Sequence, residues 1–101
     1  MEYEIATFLN IVKQMIPSLS LSQRQRFTEK IQRVIYREKE MKKVDDQMTF
    51  DECQQGIQDA LDILFEGLPL GDTYNSIRDS VQREYNNNTD LPTSLRLCFH
   101  Y

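Results

Sequence analysis

Apolar residues recur at steps of three and four along most of the chain, broken at Pro17, at an acidic stretch near Val44 and at Pro69. Ile5, Phe8, Leu9, Val12, Met15 and Ile16 share one face of a first helix predicted from about Tyr3 to Ile16. Pro17 stops it, because proline removes a backbone donor and disfavours helical geometry in the residue before it. A second stripe, Phe27, Ile31, Val34 and Ile35 with Met41 beyond, predicts a helix starting near Ser20 or Ser22 and reaching Lys43. Both serines are suitable N-caps.

The pattern resumes after Val44–Met48, which reads as a linker. Thr49-Phe50-Asp51-Glu52 fits a capping box, and Cys53, Ile57, Ala60, Leu61, Leu64 and Leu68 follow on one face until Gly67 and Pro69 close the helix. A fourth helix is expected after Asp72 or Thr73, burying Tyr74, Ile77, Val81 and Tyr85, with a polar loop at Asn86–Asp90. The last residues alternate Leu95, Leu97, Phe99 and Tyr101 with Arg96, Cys98 and His100, a period-two pattern that a short extended segment would show. The fold class expected is therefore all-α: a small four-helix bundle or two helical hairpins, open to completion by dimerisation, with an extended C-terminal tail. The organisation expected is a helical hairpin over 1–43, an acidic helical pair over 44–90 and a tail over 91–101.

Charge sharpens this picture. The net charge of −4 conceals a basic front, +4 over residues 1–43, and an acidic back, −8 over 44–101; eight acidic and no basic residues lie between Val44 and Asp72. On the second helix Arg26, Lys30, Arg33 and Arg37 form a stripe beside the apolar one. On the third, Asp59, Asp62 and Glu66 share a face that can meet it, within one chain or across two. Local pairs such as Glu29–Arg33 and Glu38–Lys42 are the plainer use of the same charges.

Chemistry finds little foothold. His100 is the sole histidine, and Cys53 and Cys98 form neither a CxxC nor a zinc spacing. No glycine-rich phosphate loop is present, and Asp45-Asp46 lie in a linker, a poor place for acid–base work. An enzyme, a cofactor, a metal and a small-molecule ligand are accordingly not expected. The opening MEYEIATF has no basic region and no apolar run, so an intracellular protein without a membrane span is expected.

The segment from Phe8 to Glu38 resembles the BESS motif, a two-helix interaction module of arthropod nuclear proteins. Phe8-Leu9, Val12, Ile16, Leu19, Phe27 and Ile31-Gln32-Arg33-Val34-Ile35-Tyr36 fall in step with its pattern. The resemblance implies homo- or heterodimerisation and contact with transcriptional regulators in the nucleus. Stripes of this size in a 101-residue chain also exceed what a small monomer is expected to cover. The residues expected to meet a protein partner are Phe8, Leu9, Val12, Ile16, Phe27, Ile31, Val34 and Ile35, with Arg33 and Arg37 at the rim. Nucleic-acid binding through the basic stripe, and a small viral or host-derived inhibitor acting through its tail, are the competing readings.

Overall fold

The computed structural model describes the backbone of residues 2–41, 47–87 and 91, with side chains over 5–37, 51–87 and 91. These residues form four helices: α1 (Glu2–Met15), α2 (Leu21–Met41), α3 (Gln47–Phe65) and α4 (Asp72–Asn87). No strand occurs among them, which bears out the all-α class. The expected extended segment over 95–101 lies outside the described residues; Leu91, where the expected tail begins, is buried in the core.

Each boundary has a local cause. After α1 the chain continues through an Ile16 N–H bond to the Val12 carbonyl, then turns at Pro17 with the Leu19 N–H on the Ile16 carbonyl. Lys13 Nζ donates to the carbonyls of Pro17 and Leu19 at 2.8 and 2.7 Å, tying the turn to the last turn of α1. Ser20 caps α2: its Oγ accepts the Gln23 N–H at 3.1 Å while its own N–H donates to Gln23 Oε1 at 2.8 Å, a reciprocal capping box. α3 ends as expected at Gly67, whose φ of 82° places it in the left-handed region that favours glycine. Its start differs from the expectation. The helix begins at Gln47, so Thr49 lies within it rather than at its cap. At the other end of the molecule α4 runs on through Asn86 and Asn87, which the polar composition assigned to a loop.

One core joins all four helices. Phe8 stacks on Phe27 with ring centroids 5.5 Å apart and meets the edge of Tyr85 at 5.8 Å, linking α1 to α2 and α4. Phe65 and Tyr74 pack edge to face at 5.9 Å between α3 and α4. Around them Ile5, Val12, Ile16, Leu19, Ile31, Ile57, Leu61, Leu64 and Val81 are fully buried. The radius of gyration, 13.5 Å, is close to the roughly 13 Å of a globular chain of this length. The most extensive backbone contact is between α2 and α3, which stand on either side of residue 43.

Two residues set this approach. A Cβ added at Gly56 would stand 2.8 Å from Val34 Cγ2, so only glycine permits the observed spacing. Gln23 fixes the ends: its Nε2 donates to the carbonyls of Ile63 and Glu66 at 3.0 and 3.1 Å. One side chain therefore closes the N-terminus of α2 and the C-terminus of α3 together, and it is 8% exposed. Replacing Gln23 with Ala should cost about 2–3 kcal/mol in chemical denaturation, one cap plus two partly buried hydrogen bonds. Gln23→Glu retains the cap acceptor, loses both donors and should cost about 2 kcal/mol. Gly56→Ala should destabilise by roughly 1 kcal/mol, overpacking exceeding the gain in helix propensity, and Val34→Ala should relieve part of that penalty in a double-mutant cycle.

Candidate interaction surface

The side chains nominated as partner contacts divide sharply. Phe8, Leu9, Val12, Ile16, Phe27, Ile31, Val34 and Ile35 are all buried within this single chain. The surface that the apolar stripes were expected to offer a partner is therefore interior, because four helices, rather than two, fold over it. Arg33 and Arg37 are exposed.

The basic edge of α2 meets the acidic edge of α3 inside the chain. Arg26 forms a two-point pair with Glu66, its Nη1 donating to Oε2 at 3.1 Å and its Nη2 to Oε1. Lys30 Nζ lies 3.9 Å from Asp59 Oδ2, and Arg37 Nη2 donates to Glu52 Oε2 at 2.7 Å. Gln55 steadies Asp59 by donating to Oδ1 at 2.9 Å. The partners run in opposite directions along the two helices, as an antiparallel pair requires. Asp62, expected in this array, is exposed and joins no ion pair among the described residues, and neither do Glu29 and Arg33. Glu38 and Lys42 lie outside the described side chains.

The Arg26–Glu66 pair has an electrostatic signature. The hydrogen bond from Arg26 holds the Glu66 carboxyl below its ordinary value, against a smaller desolvation effect, and Coulomb attraction adds to it. The same hydrogen bond raises Arg26. All three pairs are solvent-exposed, and such pairs select orientation more than they add stability.

Apolar surface remains exposed at Leu70, between α3 and α4, and along the outer seam of α1 and α2. A groove of about 560 Å³ runs between them, with Ile5, Ala6 and Leu9 on the α1 side and Leu21, Arg24, Gln25, Thr28, Glu29 and Gln32 along α2. A second hollow of about 530 Å³ shares Glu29 and Gln32 with it and extends past Arg33, Tyr36 and Arg37. Arg24 Nη2 donates across the seam to Asn10 Oδ1 at 3.0 Å. Leu21 and Tyr36 are 70% and 63% exposed along this run. Neither belongs to the main apolar stripe: Tyr36 enters the sequence reading only as the end of the BESS-like pattern, and Leu21 is not among the residues that carry that pattern. Their signal is that they are large apolar or aromatic residues standing off that stripe on an otherwise polar face.

Among the described residues no helix is long and apolar enough to cross a membrane, and no group of three His, Cys, Asp or Glu side chains is placed to hold a metal ion. No protein-family model matches the chain, and no curated protein or solved structure shows significant similarity to it.

The sign of the pH effect follows from Glu66. Its lowered value means the unfolded chain takes up the proton more readily, so the pair stabilises the fold above the ordinary carboxylate value and loses that effect as pH falls through the folded one. Arg26, raised, is charged on both sides of this window. The denaturation midpoints of wild type and Arg26→Gln should therefore differ by a constant amount near neutrality and converge below about pH 4.3. Added salt should narrow the neutral-pH gap.

Proposed function

We propose that this chain is a protein–protein association module, and that an amphipathic helical segment of a partner protein lies along the outer α1–α2 seam. The observation that carries the reading is the continuity of the two hollows, with Leu21 and Tyr36 exposed along them. Laying an apolar face into a groove between helices is a common mode of peptide recognition, and exposed aromatic and leucine side chains are natural anchors for it. Within this reading the buried stripes act from beneath: Ile5 and Leu9 line the groove that the partner enters. Arg33 and Arg37 stand at its rim, where charge complementarity selects partners.

The BESS resemblance supports association, with itself or with a different protein, and points to a dimerising or adaptor role in nuclear transcription or chromatin regulation. Nucleic-acid binding is the weaker reading. Three of the four cations on the basic edge already face carboxylates in the same chain, and the net charge is −4, so little is left to follow a phosphate backbone.

Photo-cross-linking tests the surface. Benzoylphenylalanine at Gln25 or Gln32 should give an adduct in cells on irradiation, and the same probe at Asp62 should not. An adduct of twice 12.0 kDa would identify a second copy, and any other mass a different protein. Leu21→Glu with Tyr36→Glu should abolish the adduct while changing stability by about 0.5 kcal/mol or less per site. Leu9→Glu or Ile31→Glu should instead unfold the chain, because each buries a charge. Equal adducts from all three probe positions, or none from the seam, would refute the proposal.

A further inference from the structure

The α2–α3 ion pairs follow a register that also assigns a counterpart to the remaining cation. Lys30 pairs with Asp59 and Arg37 with Glu52. Counting along both antiparallel helices sets Arg33 opposite Gly56, and the two line one cleft of about 130 Å³ together with Lys30, Arg37, Glu52 and Cys53. Gly56 supplies no carboxylate. Exchanging it for a residue that does would cost packing, because a Cβ there would stand 2.8 Å from Val34 Cγ2. Arg33 is exposed, with no hydrogen bond or ion pair among the described residues. Three cations thus border a cleft in which only Glu52 is acidic.

We propose that this cleft receives the carboxylate of an acidic side chain on the partner protein, with Arg33 as its counter-ion. The proposal rests on the association reading above and names the partner chemistry of that surface. Four observations carry it. The guanidinium fork matches a carboxylate in two-point geometry, as Arg26 already does with Glu66 in this chain. The cleft is sized for one side-chain head group rather than a nucleotide. It shares Arg33 and Arg37 with the hollow beside Tyr36, so a residue next to the acid would lie against the exposed ring. Finally, Lys30 and Arg37 already face Asp59 and Glu52, and Glu29 on the preceding turn forms no ion pair with Arg33 among the described residues, so Arg33 is the cation of this cleft that its own chain leaves for a carboxylate from outside. A phosphodiester chain fits less well, because Glu52 in the cleft and the net charge of −4 oppose a run of phosphates more than a single carboxylate.

Selection of a random peptide library on the immobilised full chain tests this. Selected peptides, synthesised with a fluorophore, would be measured by anisotropy against wild type, Arg33→Gln and Arg26→Gln. The expected peptides carry Asp or Glu beside a large apolar residue. Their affinity should fall about tenfold on Arg33→Gln, roughly 1.4 kcal/mol, and less than about twofold on Arg26→Gln, and it should weaken with salt. Arg33→Gln should melt at the wild-type temperature, which separates lost binding from lost structure. Selected peptides without acidic enrichment, or with equal affinity for Arg33→Gln, would overturn the inference; if Tyr36→Glu still abolished their binding, the association reading would stand. An oligonucleotide bound by wild type and released by Arg33→Gln would replace the carboxylate with phosphate and overturn it as well. A library yielding no binder, with no cross-linked adduct from the seam, would remove both readings.

Discussion

The architecture turns on the side-chain amide of Gln23. Its oxygen completes the cap of α2, and its nitrogen donates to the last carbonyls of α3. A helix end leaves several backbone groups unsatisfied, and here one buried side chain answers for two ends at once. That fixes the start of α2 against the finish of α3. Given antiparallel helices of regular rise, every later meeting along the pair is then set: Arg26 with Glu66, Lys30 with Asp59, Val34 against Gly56, and Arg37 with Glu52. The ion pairs follow from this register and reinforce it, but they are exposed and too weak to impose it alone.

With α2 and α3 so aligned, α1 and α4 cover the rest. Phe8 reaches both Phe27 and Tyr85, so the aromatic cluster holds the outer helices to the inner pair. This arrangement consumes the apolar stripes. A chain of this length buries only part of its surface, yet the main stripes of all four helices find partners within it. Exposed apolar surface is left to what stands off those stripes: Leu21 and Tyr36 along α2, Leu70 before α4, and the groove between α1 and α2 on which the proposed association rests.

The sequence disclosed some of this and concealed the rest for identifiable reasons. Helical period, Pro17, the Gly67–Pro69 stop and the Ser20 cap are local signals, and each marks an observed boundary. Thr49-Phe50-Asp51-Glu52 satisfies a local capping rule, yet α3 already runs from Gln47, because a four-residue pattern does not report whether the residues before it are helical. The complementarity of the basic and acidic edges was visible, but not whether it would close within one chain. Deciding that requires knowing that Gly56 lets α2 and α3 approach. Half of the role of Gln23 was legible in the Ser20-x-x-Gln23 spacing. The other half depends on carbonyls forty residues away, brought near only by the fold.

Gly56 links the packing argument to the electrostatic one. Close approach of α2 and α3 demands a residue without a side chain where Val34 crosses. The neighbouring rung of the ladder therefore has no carboxylate to offer, whatever the rest of α3 supplies. The chain has Arg33 there. Arg33 forms no ion pair among the described residues, and at an exposed position an unpaired cation adds little to the fold. The steric constraint thus explains why the carboxylate is absent but not why the cation is present. A charge that the interior arrangement does not use, placed at the rim of an exposed groove, is the feature that the proposed carboxylate contact would account for.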